Sequence, residues 1–266
     1  MKKTASAQAL PVWCMLTDQG RVRENNEDAL TVDAAHGLAV LADGMGGYNA
    51  GEVASAMAVE IVGSELGQWL GQASDAVAPE EIARAMESCV ARANLAIFQA
   101  SCAHAAQAGM GTTLVVAALR RRTLLIGHIG DSRAYRLRHG ALTQLTHDHS
   151  LLQDEIDLGL ISEEDAEFSA SRGLLTRALG VEEAAPLDVQ TQDVAPGDLY
   201  LLCSDGLTDM LKPSEMAAAL AARGSLPSRA QRLVDMANAK GGRDNVSLVL
   251  CQIPGGASRN QKTVKK

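Results

Sequence analysis

Residues 112–146 read TTLVVAALRRRTLLIGHIGDSRAYRLRHGALTQLT. Four short runs follow one another: Thr112 to Leu119, Leu124 to Ile129, Ala134 to Arg138 and Leu142 to Thr146. Apolar or alternating runs of this length, bounded by turn residues, predict strands. Arg120-Arg121-Arg122 and His139-Gly140 supply turns. The connections are too short for crossover helices, so the strands form a meander in a largely antiparallel sheet.

Outward from this stretch the period changes. Upstream, Val12 to Asp18, Ala29 to Asp33 and Leu38 to Asp43 read as strands, with Ala34 to Gly37 as a turn. A helix is predicted from Ala50 to about Leu70, because Val53, Met57 and Ile61, then Val62, Leu66 and Trp69, recur at helical spacing. Asn49 and Glu52 resemble a capping box. A second helix runs from Pro79 to about His104, with proline in its first turn. Downstream, residues 149–179 are polar and short-helical. Asp198 to Cys203 and Val246 to Ile253 read as buried strands, separated by helices near Pro213–Ala222 and Ser228–Ala239. Helices that flank runs of strands predict an α+β fold with helices layered over antiparallel sheets. Residues 1–11 read as an N-terminal extension, 12–253 as one domain and 254–266 as a disordered basic tail.

The 266 residues are 47% hydrophobic, enough to bury a substantial core. Only 3% are aromatic, so aliphatic residues must fill that core. The net charge of −8 argues against bulk binding to nucleic acid or an anionic membrane. The cysteines, Cys14, Cys89, Cys102, Cys203 and Cys251, are scattered and odd in number, which predicts reduced thiols in a cytoplasmic protein. No run approaches the roughly 20 apolar residues of a membrane span. Met1-Lys2-Lys3 is followed by a segment too polar and short for a signal peptide.

The chemistry lies in the aspartates. Leu38 to Ala42 leads into Asp43-Gly44-Met45-Gly46-Gly47, Leu124 to Gly130 into Asp131-Ser132-Arg133, and Leu199 to Ser204 into Asp205-Gly206-Leu207. Gly241-Gly242-Arg243-Asp244-Asn245 precedes the last strand. Any one Asp-Gly is an ordinary turn. Several carboxylates at the ends of buried strands are costly without a partner and suggest a shared hard cation. Gly44 allows close backbone approach and a carbonyl turned toward an ion beside Asp43, or simply the end of a strand. Arg23, in a turn rich in carboxylates, suits either a phosphate grip or a surface salt bridge. His147-Asp148-His149 reads as a loop rather than a ligand set, and His128 as a hydrogen-bonded core residue.

The ordered set Arg23/Asn26/Glu27/Asp28, Asp43–Gly47, Gly111–Thr113, Gly130–Arg133, Asp205–Leu207 and Asp244-Asn245 resembles the PPM/PP2C protein phosphatases, most of all their bacterial branch. The resemblance spans roughly Val12 to Ile253 and implies an α-β-β-α sandwich. It implies a metal-dependent protein serine/threonine phosphatase with two Mn²⁺ or Mg²⁺ ions. Asp43 would bridge the ions, the Gly44 carbonyl would complete one site, and Asp205 and Asp244 would hold the other. Asp28 would order water, Arg23 would hold the substrate phosphate, and Asp131 would help bind a third, weaker ion. Water would attack phosphorus directly, with no phosphoenzyme. The implied partners are phosphorylated proteins, a Ser/Thr kinase and its substrates, with the enzyme itself a monomer.

Two departures stand out. Met45 stands where eukaryotic relatives carry histidine. Phe168 to Arg172 lacks the His-Pro pair common upstream of Leu174–Gly180, within a segment, about His149 to Arg177, that corresponds to the family's flap. Rival readings are weaker. Gly130 to Ala134 nearly matches G-x-S-x-G, but Ala134 ends it and a strand follows where a helix is required. No cysteine stands at C-x₅-R spacing, and no Gly-Lys pair exists for a P-loop. A catalytically silent binding module would have lost metal aspartates, whereas Asp43, Asp205 and Asp244 are all present.

Overall fold

The computed structural model describes residues 10–46, 50–162 and 164–255. Its strands are β1 (Val12–Asp18), β2 (Asp28–Asp33), β3 (Leu38–Met45), β4 (Gly111–Thr112), β5 (Leu114–Arg120), β6 (Thr123–Ile129), β7 (Arg133–Arg138), β8 (Ala141–Gln144), β9 (Asp188–Asp193), β10 (Leu199–Cys203) and β11 (Val246–Gln252). The helices are α1 (Gly51–Gln72), α2 (Pro79–Ala103), α3 (Leu151–Asp157), α4 (Asp205–Thr208), α5 (Pro213–Ala221) and α6 (Leu226–Ala239). One sheet has the order β1-β11-β10-β7-β8 and the other β2-β3-β5-β6-β9, with β4 joined to the end of β3. Every pairing is antiparallel.

The central strands are buried on both faces, and alternate residues point into different layers. On β5, Leu114, Val116 and Ala118 join a core beneath α1 and α2. Val115, Ala117 and Leu119 join a second core between the sheets, where they meet Tyr200 and Leu202 of β10 and Val249 of β11. Leu199, Leu201, Leu248 and Leu250 face a third core under α5 and α6. Helix, sheet, sheet and helix thus make four layers, the α-β-β-α sandwich expected of this mixed α+β chain.

The structure alters four details of the sequence reading. The meander of 112–146 is divided between the sheets: β5 and β6 pair in one, β7 and β8 in the other. The crossing takes only Gly130, Asp131 and Ser132, with Gly130 at φ +95, a backbone shape that suits glycine. Strand β9 was not anticipated, because DVQTQD is a polar edge strand without an apolar signal. The buried stripe of α1 is Ala54, Ala58, Val62, Leu66 and Leu70, while Val53, Met57, Ile61 and Trp69 only flank it. Small residues let the helix lie close to the sheet, so its first turns face inward through alanines. Asn49 of the expected capping box lies outside the described residues, and α1 starts at Gly51 with Ala50 as N-cap and no side-chain cap bond. The extension and tail fall almost wholly outside the described residues. Among the described residues, no helix is long and apolar enough to cross a membrane.

Candidate active site

Five aspartates named from the sequence meet at one end of the sandwich, delivered by both sheets. Asp28 opens β2 and lies directly across from Asp43 on β3. Asp131 stands at the crossing between sheets, Asp205 at the start of α4 just after β10, and Asp244 just before β11. Burial pushes the Asp43 carboxyl well above the usual carboxylate range, and the negative charges of Asp28, Asp205, Asp131 and Asp244 push it further. Asp205 is raised in the same way by burial, then by Asp131, Asp209, Asp244 and Asp28. Burial lifts Asp28 and Asp131 to about 6 each. One oxygen of Asp28 and one of Asp205 are buried without a hydrogen-bond partner. Crowded carboxylates with unsatisfied oxygens fit a hard divalent cation, which would relieve both the repulsion and the missing bonds.

The backbone around these acids is held tightly. Asp43 N–H donates to Thr113 Oγ1 at 3.0 Å, and the Asp43 carbonyl accepts from Thr113 N at 2.9 Å and Thr112 Oγ1 at 2.8 Å. Gly44 leaves no room for a side chain: a Cβ there would stand 2.1 Å from the Gly51 carbonyl and 2.6 Å from that of Glu27. The start of α1 therefore rests on the end of β3 backbone to backbone.

Arg23 is half exposed, and its Nη2 lies 2.5 Å from Asp244 Oδ2. Both readings of Arg23 bear on this arrangement, for it forms a salt bridge within the cluster itself. Ser132 is fully buried, bonds Thr113 Oγ1 at 2.8 Å and leads into β7, so it is no nucleophile on an elbow. A groove of about 730 Å³ opens beside Asp131 and Asp205, between Ser150, Phe168 and Arg172 on one wall and Met210, Lys212 and Arg243 on the other.

Sequence reasoning gave no role to Asn245 or Ser204. Asn245 Oδ1 accepts from Glu27 N at 2.8 Å, and its Nδ2 donates to the carbonyls of Gln19 and Asn25, both at 2.9 Å. This buried amide ties the loop holding Arg23 to the loop holding Asp244. Ser204 Oγ donates to Asp28 Oδ2 at 2.9 Å. The signal in sequence was the Asp244-Asn245 pair of the family motif, which gives no role to the amide, because its partners lie some 220 residues away.

His128, His149 and Asp188 form a separate group. Theirs are the only histidine, cysteine or acidic ligand atoms that come within 4.8 Å of one another in a set of three among the described residues. His128 is buried, and its Nε2 lies 2.8 Å from the His147 carbonyl, in keeping with a core histidine.

The family model for protein phosphatase 2C matches residues 19–244. The chain belongs to the protein phosphatase 2C family. It is 37% identical over 239 residues to the serine/threonine phosphatase stp of Listeria monocytogenes, covering 89% of this chain and 93% of that protein. The crystal structure of the Mycobacterium tuberculosis serine/threonine phosphatase PstP/Ppp superposes with a TM-score of 0.83 at 35% identity, over 92% of this chain and all of that one. A structure of the PstP catalytic domain in complex with two manganese ions superposes at 0.80 with 35% identity, over 92% of this chain and 99% of that one. This chain is accordingly a metal-dependent protein phosphatase of the bacterial type. The aspartate cluster lies within the matched residues or, for Asp244, at their end.

Proposed function

We propose that this enzyme hydrolyses phosphoserine and phosphothreonine in proteins at a two-ion centre held by Asp43, the Gly44 carbonyl, Asp205 and Asp244. The observation that carries the proposal is the convergence of raised, partly unsatisfied carboxylates in a fold whose solved relative PstP is described with two manganese ions. Mn²⁺ and Mg²⁺ both suit an all-oxygen donor set. When bound, such ions supply positive charge that polarises water and the phosphoryl oxygens.

The protein's own groups do the rest. Asp43 would serve both ions, with Asp205 and Asp244 on one and the Gly44 carbonyl on the other. Asp28 takes one hydrogen bond from Ser204 and keeps a free oxygen with which to orient water for in-line attack. Arg23 is long, half exposed and always charged, so it can turn from Asp244 to the substrate phosphate. Asp131, which lines the groove, would help hold a third, weaker ion. We further propose one domain over residues 12–253, a cytoplasmic monomer, and a Ser/Thr kinase as the opposing partner.

The test is release of phosphate from p-nitrophenyl phosphate and from a phosphothreonine peptide with Mn²⁺, Mg²⁺ or EDTA. Metal-dependent release that is lost in Asp43→Asn is expected. No release by the parent enzyme with any metal would favour a silent binding module instead.

A further inference from the structure

The segment over the aspartates leaves the fold at His149 and returns at Arg177, and both ends reach the same carboxylate. Asp188 Oδ1 accepts from Arg177 Nη1 at 2.7 Å, and Asp188 Oδ2 lies 3.2 Å from His149 Nε2. Asp188 opens β9 and stands directly across from His128 on β6. The backbone of His149 is shared as well: its N–H donates to the Gly130 carbonyl at 3.0 Å, and its carbonyl accepts from Thr176 N at 3.0 Å. Its ring accepts the Gly130 N–H at Nδ1, 3.1 Å away. Gly130 is the residue before Asp131.

The proton positions follow from these partners. Nδ1 of His149 accepts an N–H, so the ring proton sits on Nε2 and faces Asp188. Burial foremost lowers the pKa of His149 and favours this neutral form. His128 Nε2 faces a carbonyl and carries that ring's proton. The two rings stack with centroids 4.7 Å apart and planes 15° from parallel. An ion needs ring lone pairs that meet in the plane of each imidazole, and near-parallel stacked rings do not offer such a point. It would also require His149 to give up Gly130. The group is therefore built for holding chain segments rather than a cation.

We propose that Asp188, with His149 and Arg177, is a clamp that fixes both ends of the flap to β9 and thereby sets the width of the groove in which a phosphopeptide lies. Asp188 is a positioning residue: it touches no reacting atom in the proposed mechanism, but Ser150, Phe168 and Arg172 of the clamped segment form one wall of the groove. This inference rests on the phosphatase reading above. A small aryl phosphate needs only the aspartate centre, whereas a peptide needs the wall.

Two measurements on Asp188→Ala, Asp188→Asn and Arg177→Lys test the clamp. Hydrogen–deuterium exchange is expected to quicken across 150–176 in Asp188→Ala while β5 and β10 keep their protection. At saturating Mn²⁺, kcat/KM for a phosphothreonine peptide is expected to fall about fivefold through KM, the upper range for ion pairs at a half-exposed carboxylate. The value for p-nitrophenyl phosphate should stay within about twofold. Asp188→Asn, which retains one acceptor, should lie between, and Arg177→Lys should stay near the parent. Unchanged flap exchange, or an equal loss on both substrates in a folded variant, would overturn the clamp. A parent enzyme inactive on both substrates would instead overturn the phosphatase reading, and the exchange experiment would still judge the clamp.

Discussion

Strand β10 has an aspartate at each end, and the two live in opposite circumstances. Asp198, just before the strand, is 1% exposed and fully answered. It accepts from Arg138 Nε and Nη2 at 2.7 Å each, from Ala195 N at 2.7 Å and from Tyr200 Oη at 3.1 Å. Burial works to raise its pKa, yet Arg138, the Ala195 amide and Tyr200 together hold it below the usual carboxylate range. Asp205, just beyond the strand, is pushed well up by burial and by Asp131, Asp209, Asp244 and Asp28, and keeps an unpartnered oxygen. The same residue type on the same strand is structural where the fold supplies donors, and fit for a cation where it supplies more acids. Burial alone does not distinguish the two; the sign of the neighbours does.

The comparison breaks first under mutation of its two members. Asp205→Asn is expected to lower kcat by about 10³-fold or more on both substrates, since one charge-bearing ligand at a reacting centre is worth several kcal/mol. Its melting temperature in EDTA should hold or rise. Asp198→Ala should do the reverse, costing about 1–3 kcal/mol in denaturant unfolding by leaving the Ala195 N–H and the Tyr200 hydroxyl without an acceptor, while the folded fraction keeps its metal-dependent turnover. Equal profiles for the two variants would dissolve the distinction.

Arg23 sharpens the same contrast, because it sets a cation among the acids, paired with Asp244 and close enough to feel Asp205. Arg23→Ala should raise KM for phosphosubstrates about tenfold with a smaller change in kcat. A collapse of kcat at constant KM would give Arg23 a different role.

The acids also set a pH dependence. Asp28 and Asp131 rise from the ordinary carboxylate value of 3.8 to about 6 in the folded chain, so the native state holds more protons than the unfolded state between these values. Metal-free stability must then fall as pH rises from about 4 to 7. Asp198 and Asp18, which are held low, act in the opposite sense, but only as pH drops toward and below 4. In EDTA the melting temperature should be a few degrees higher at pH 5 than at pH 7.5, and Mn²⁺ should reverse that order. The smallest effect is expected of Asp131→Ala: about a fivefold loss at low Mn²⁺ that recovers at saturation, read from a Mn²⁺ titration of activity.

Much of this was legible in the sequence because the informative residues sit at strand ends. Leu38 to Ala42, Leu199 to Cys203 and Val246 to Cys251 are largely apolar runs that become strands buried on both faces, and each has an aspartate within two residues of one end. What escaped was set by partners distant in the chain. The three-residue passage at Gly130–Ser132 looks like a hairpin turn, though it carries the chain from one sheet to the other. Strand β9 is polar because it is an edge, and it is recognisable only once β6 lies beside it. Asn245 and Asp188 organise loops through backbone and side-chain partners that no local pattern announces. The stripe on α1 was displaced because alanines, weak hydrophobic signals, make its closest contacts.

The most direct test of the aspartate centre is calorimetric titration of the metal-free protein with Mn²⁺, alongside Asp205→Asn and Asp198→Asn. Two ions bound per chain by the parent and by Asp198→Asn, with binding diminished in Asp205→Asn, is the expected result. Failure of the parent to bind Mn²⁺, or undiminished binding by Asp205→Asn, would contradict the account.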